Sequence, residues 1–292
     1  MIAIAGPNLP HELLAATGRA SGPLPYDPDR ATPRACQWLE SKFAPWAGPV
    51  LETWAEGGYD GLDQVLFSRA DDTSQRLYYY ICELQRRGAA AGPEPLICDI
   101  AKIPRSASLL RTRETLARLC ERLEVSSACL EAAIVAANRS RAARSASASG
   151  RVCLLAGTPP PDHRLHDAIT SCGFAPQGRT LAQDWADLGA VVEEGTGDPL
   201  GAVARQLHER EGGPRSFLDP AAHLTRAIDE AAPAAIVLWR IEEDDAQIWY
   251  LPAERRVLAA SCLPHLVLTR RDWLARDGAA DEIIAFLEGV EE

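Results

Sequence analysis

Residues 61–105, GLDQVLFSRADDTSQRLYYYICELQRRGAAAGPEPLICDIAKIPR, read as strand, loop, helix, strand and loop. Val65-Leu66-Phe67 is a short apolar run, and Ser68-Arg69-Ala70-Asp71-Asp72 breaks it with residues that favour helix caps. Gln75–Arg87 then carries Leu77, Tyr80, Ile81 and Leu84 at helical spacing, down to Gly88. Pro95-Leu96-Ile97-Cys98 is the next apolar run, closed by Asp99 and the turn at Pro104. This is one β-α-β unit, whose parallel strands are expected to be buried on both faces. In such sheets ligands sit beyond the carboxyl ends of the strands. Here those ends are Ser68-Arg69 and Cys98-Asp99.

Working outward, Ile2–Ala5 reads as a first strand and Pro10–Thr17 as a helix. Gly22–Pro33, with its prolines and aspartates, reads as a loop. A helix opening at Thr32 or Pro33 carries Cys36 to about Pro45, and a shorter one spans Pro49–Glu56. Beyond Arg105 two long helices follow, the second starting at Ser126 or Ser127 and running to Arg144. Ser145–Gly150 (SASASG) is small and polar, and it marks the boundary between a first lobe, residues 1–148, and a second, residues 149–292. The second lobe begins with a strand at Arg151–Gly157 and a helix at His166–Ser171. A strand at Gly189–Glu193 and helices at Leu200–Arg210 and Pro220–Ala231 come next. Strands at Ala234–Trp239 and Leu266–Thr269 and a helix at Asp272–Leu287 end it. The halves share an order of elements, with no shared residues.

Composition narrows the possible roles. A formal charge of -11 disfavours non-specific binding to nucleic acid or anionic membrane. No apolar run is long enough to span a bilayer, and Met1–Leu14 lacks a basic leader region, so a cytoplasmic location is expected. Eight cysteines, at 36, 82, 98, 120, 129, 153, 172 and 262, include no C-x-x-C. In a reducing compartment they read as free thiols, mostly buried.

The strand-to-helix turns FSRADD, AGTPPPD and WRIEEDD contain neither G-x-G-x-x-G nor a P-loop, so no NAD and no ATP site of those kinds is expected. G-x-S-x-G is absent as well. His163 and His166 form an H-x-x-H without a third ligand and read as a solvated helix face. The run Glu242–Asp245 reads as a solvated loop or helix start. Arg69 and Arg240 follow core strands, and Arg105 lies just past a third strand end. Guanidinium groups there could bind a carboxylate or phosphate in bidentate fashion, with Ser68 beside them.

The order of elements from about Leu9 to Leu287 resembles the 2-hydroxyacyl-CoA dehydratase / benzoyl-CoA reductase family. The likeness is carried by Leu9-Pro10-His11-Glu12-Leu13 with Gly18, by Cys36, by the strand ending at Ser68 and by Cys98–Arg105. It continues through Asn138-Arg139-Ser140-Arg141, Arg151–Gly157 and Asp198-Pro199. The resemblance implies an α/β protein of two flavodoxin-like, doubly wound lobes with a helical segment between them. It further implies two related subunits and a 4Fe-4S cluster between the lobes, charged by an ATP-hydrolysing activator. The reaction implied is reduction of an acyl-CoA thioester to a ketyl radical.

Such clusters are held chiefly by cysteine sulfur, and the family uses three cysteines per subunit. Cys36 matches the first. The second position reads Ser68-Arg69 and the third Trp239-Arg240-Ile241, while Cys98, on the neighbouring strand end, is the available substitute. The expectation is therefore a family-like chain lacking the usual cluster site. It would serve as a partner subunit to a homologous dehydratase or reductase, contributing to an acyl-CoA site. A stand-alone protein binding an anionic small molecule through Arg69, Arg105 and Arg240 is the alternative. A divergent active dehydratase using Cys36 and Cys98 is a third.

Overall fold

In the computed structural model, which describes residues 1–40, 42–101, 103, 105–144, 150–210, 219–244 and 247–290 (for Arg144 the backbone only), the stretch quoted first forms strand, helix and strand as expected. Gln64–Ser68 is β3, Asp72–Arg86 is α4 and Glu94–Cys98 is β4. Asp71 caps α4 by accepting from the Ser74 backbone N–H at 2.6 Å, which satisfies an otherwise orphaned donor. β4 departs from the expectation of two-sided burial. It is the edge strand of its sheet, with Glu94 exposed and Pro95, Leu96 and Ile97 half-buried. Pro95 is tolerated there because an edge strand has an unpaired side.

The first sheet is four parallel strands in the order β2-β1-β3-β4, with β1 at Ile2–Ala5 and β2 at Ala20–Pro23. The second, β6-β5-β7-β8, repeats that order with β5 at Val152–Gly157, β6 at Ala175–Gln177, β7 at Ala235–Ile241 and β8 at His265–Arg271. In each, the first strand of the lobe lies between the second and the third. The direction of winding therefore reverses between β1 and β3, and between β5 and β7. This is the two-lobed, doubly wound α/β architecture expected from the sequence.

Several local expectations are corrected. β2, Ala20–Pro23, ends inside the stretch read as a loop, and β6 is Ala-Pro-Gln; neither has a strand-like pattern, and each exists because it pairs with a neighbour. Gly189–Glu193 is an extended loop. Asn138 supplies both hydrogen bonds that a neighbouring strand would have made to Val192, accepting from its N–H at 3.1 Å and donating to its C=O at 2.8 Å. The helix around Cys36 is only α2, Ala35–Trp38, while Ala47–Ala55 forms α3. The last helix, α12, starts at Ala279 rather than Asp272. A helix not expected, α11, spans Leu251–Ser261. All of the boundary stretch Ser145–Gly150 except Gly150, and the turn at Pro104, lie outside the described residues.

The remaining helices are α1 (His11–Ala16), α5 (Ser106–Leu123), α6 (Ser127–Arg144), α7 (Arg164–Ser171), α8 (Leu181–Trp185), α9 (Pro199–Glu209) and α10 (Pro220–Ala231). Asp198-Pro199 and Asp219-Pro220 begin α9 and α10 in the same way. Each Asp side chain accepts a first-turn N–H, and each Pro takes the first helical position, where no N–H is needed. α1 packs on α6 and α5 on α9, so the helical segment between the lobes lies against both. One buried core runs from Ile2 in the first sheet to Ile283 in α12. A smaller one lies under α10 and α11, on the other face of the second sheet.

The lobes are joined by buried charge. The Arg141 guanidinium, from α6, donates to Glu12 on α1, to the carbonyls of Leu188 (2.7 Å) and Gly189 (3.1 Å), and to Asn138 Oδ1 (2.9 Å). Side chains of Arg141 and Glu12 are 8% and 2% exposed. Breaking a pair this deep leaves an uncompensated charge, so Arg141→Met should lower unfolding stability by about 3–5 kcal/mol. Removing both charges, with Arg141→Met and Glu12→Leu together, should recover part of that loss. Urea unfolding midpoints of the three proteins measure both effects.

Candidate functional site at the strand carboxyl ends

At the first switch point the turn after β1 is locked to the start of α4. Ser74 Oγ donates to the Ala5 carbonyl at 2.6 Å and accepts from the Ser68 N–H at 3.0 Å. Ser68, 1% exposed, uses its own Oγ to accept from the Ala70 N–H at 3.1 Å. Gly6 has φ +105°, and a Cβ there would stand 2.7 Å from Ser68 Cβ and 2.9 Å from Ser74 Oγ. There is no room for a methyl group, and Ser68 serves the backbone.

Farther along the same edge, Arg69 and Asp99 form a partly exposed ion pair, with side chains 44% and 29% exposed. The Arg69 N–H donates to the Cys98 carbonyl at 3.0 Å, which extends the β3–β4 ladder by one bond. Arg105 is exposed and precedes α5 without capping it. Arg69 and Arg105 thus lie where the sequence placed them.

Arg240 does not. β7 continues through Arg240 to Ile241, so Arg240 belongs to the strand instead of following it. Side chains alternate across a strand, and Arg240 shares the face of Ile236 and Leu238, the one covered by α11. There its guanidinium, 7% exposed, donates to Glu254 of α11 and to Gln247 and stands 3.6 Å from Asp244. Thr158, just past β5, donates from its hydroxyl to Asp244 Oδ2 at 2.6 Å and from its N–H to the Trp239 carbonyl at 2.8 Å. Gly157, at φ +107°, lies so close to that carbonyl that a Cβ would collide with it. The second switch point is closed like the first. The acidic run at Glu242–Asp244 contributes Asp244 to this network, and burial raises the Glu243 carboxyl above its ordinary range, with Glu242, Asp272 and Asp244 adding to the effect. Asp245 lies outside the described residues.

The two cysteines expected as cluster ligands lie in different environments. Cys98 is 1% exposed, and burial, helped by the charge of Asp99, pushes its thiol up to about 12. Cys36 is exposed and 3.2 Å from the Thr32 hydroxyl. Among the described residues no group of three His, Cys, Asp or Glu side chains is placed to hold a metal ion. In the H-x-x-H, His166 is buried with Nε2 3.1 Å from the Gly178 carbonyl, so only His163 belongs to the expected solvated face.

Between the lobes stand aromatic rings. Tyr26 stacks on Trp273 (6.1 Å, 21°) and meets Trp185, which Trp46 contacts edge-on at 4.9 Å. Asp29 accepts from both Arg164 (2.8 Å) and Arg276 (2.6 Å), clasping the second lobe at this rim. His11, at the end of the β1 turn, is held neutral: burial first, then the charges of Arg210 and Arg141 against the opposing Asp187, lowers it from 6.5 to about 4.

Among the described residues, a 3-10 turn, Gln247–Tyr250, faces outward at the second lobe's strand ends. Its Gln247 reaches inward to Arg240, while Trp249 is 82% exposed and Ile248 37%. Sequence reading passed over these two residues. The signal was a tryptophan in QIWY that no strand or amphipathic helix pattern claimed. Fold and site together define a two-lobed α/β protein whose strand ends are closed from within and which presents an exposed aromatic beside the second of them. No family model matches the chain, and no curated protein does. Among the described residues no helix is long and apolar enough to cross a membrane.

Two outcomes follow from these environments. In the native protein a thiol reagent should modify the exposed Cys36, Cys129 and Cys262 quickly and spare Cys98 and Cys153 until denaturant is added; mass spectrometry reads the sites. For His11, the unfolded chain takes up a proton between its usual value and about 4 that the native protein refuses. Native stability is therefore lost as pH falls through that window. Between about pH 7 and about pH 5 the parent protein should lose about 2 kcal/mol more than His11→Leu does, by urea titration.

Proposed function

We propose that this chain is a structural subunit of the 2-hydroxyacyl-CoA dehydratase / benzoyl-CoA reductase type, shaping an acyl-CoA site that a related, cluster-bearing subunit completes. The observation that carries the reading is Trp249, 82% exposed with Ile248 beside it, on a turn anchored through Gln247 to the buried Arg240. An indole held outward on a turn tied to a buried arginine has the character of an interface anchor, because aromatic residues dominate binding energy once desolvated.

Three stretches that carry the family resemblance take part in ion pairs of the interlobe region, which supports a shared scaffold. Glu12 binds Arg141. Asn138 and Arg141 hold residues 188–192. Asp198, at the start of α9, pairs at 3.1 Å with Arg113 of α5. Cys36 at the surface and Cys98 buried at a strand end lie in different environments, which supports a role without a cluster of its own. The commitment of Arg240 to Glu254 weighs against a stand-alone anion binder that would use all three arginines.

The test is binding of the purified chain to a related dehydratase subunit under anaerobic conditions, followed by sedimentation, with iron and sulfide quantified in each partner. The chain alone should be free of iron and sulfide. Trp249→Ala should weaken the complex by about 30-fold or more, the loss typical of an interface hot spot. Stoichiometric iron in the isolated chain, or an unchanged affinity in Trp249→Ala, would overturn the proposal.

A further inference from the structure

The amino ends of the first sheet, opposite the strand ends described above, hold a cavity of about 430 Å³ lined by Ala16, Thr17, Arg19, Gln64, Arg122 and Glu124. Its polar groups are unevenly satisfied. Arg122, in the last turn of α5, donates to Glu94, and Glu94 also accepts from Gln64 Nε2 at 2.8 Å. That contact orients the amide, since turning it over would set an oxygen against a carboxylate. Gln64 Oε1 is consequently the acceptor left over, and it is buried with no hydrogen-bond partner among the described residues. A sealed acceptor without a donor costs about 1–3 kcal/mol.

Arg19 bonds through its backbone N–H to Thr17 Oγ1, and its guanidinium has no ion-pair partner among the described residues. Asp63 senses the Arg19 charge but pairs with the amino group of Met1. Negative character borders the same space. α5 ends at Leu123, and Glu124, in the left-handed conformation at φ 58°, follows as its C-cap. The last carbonyls of that helix and the Glu124 carboxylate favour a positive group.

A dianion would meet Glu124 and the helix end, and a simple cation would meet two arginines. A ligand carrying both charges a few bonds apart satisfies each. We propose that this cavity is a binding site for a small α-amino acid in its zwitterionic form. Arg19 takes the carboxylate, with Arg122 beside it. Glu124 and the end of α5 take the ammonium, while Gln64 stays sealed behind them as part of the cavity wall. The inference does not rest on the subunit reading, because the cavity lies at the opposite ends of the strands, and either can fail without the other.

Thermal unfolding with added ligand tests it, since a molecule that binds only the native state raises the melting temperature with its concentration. The probes are L-alanine, L-leucine and L-aspartate, with propionate and ethylammonium as single-charge analogues of alanine. At least one amino acid should raise the melting temperature progressively, while both analogues at equal concentration leave it unchanged. Arg19→Gln should abolish the shift without altering the unliganded melting temperature. Glu124→Gln, at an exposed cap, should weaken it by tenfold or more in titration calorimetry and serves as the second variant should Arg19→Gln destabilise the fold. Absence of a shift with all three amino acids would overturn the inference. So would a shift with propionate equal to that with alanine, or a shift that survives both substitutions.

Discussion

One guanidinium holds the molecule in its observed form. Arg141 reaches from the helical segment to Glu12 in the first lobe and to the carbonyls of Leu188 and Gly189 in the second. Two charges removed from water are stable only when every remaining lone pair and proton is answered. Here Asn138, one turn earlier on α6, completes the set by accepting from Arg141 and donating to the Val192 carbonyl. The polypeptide from 188 to 192 is therefore shaped by side chains of another helix. The packing of α5 on α9 and the aromatic contacts of Tyr26, Trp46, Trp185 and Trp273 follow the same seam.

The seam determines what the strand ends can do. In open α/β sheets the crevice at the switch point is the natural ligand site. Here Ser74 draws the β1 turn against β3, and Thr158 draws the β5 turn against β7. Gly6 and Gly157 are required because a Cβ at either place would collide with its neighbours. Both crevices are thus occupied by the protein's own backbone. Among the described residues, the groups facing outward at this edge include the Arg69–Asp99 pair, Arg105 and Trp249.

Arg240 illustrates how burial redirects a residue whose type suggests ligand binding. An arginine near the end of a core strand reads as a cleft residue. Two more residues of strand turn it under a helix, where its terminal nitrogens donate to Glu254 and Gln247. Its role becomes anchoring the turn that displays Trp249.

The sequence by itself determined the two-lobed α/β plan, because the elements that build it carry their own signals. β1, β3, β5 and β7 are apolar runs, α4 has a buried stripe and an Asp cap, and α9 and α10 open with Asp-Pro. The strand ends bearing Ser68, Arg69 and Cys98 were legible for the same reason. Tertiary structure decided the rest. β2 and β6 have no pattern of their own and exist through pairing with β1 and β5. Val191 and Val192 look like a strand and are held as a loop by Asn138. The burial of Arg240 and Cys98, the exposure of Trp249 and the unsatisfied Gln64 depend on what lies across from each. Such facts belong to pairs of residues far apart in the chain, whereas periodicity and caps are properties of neighbours.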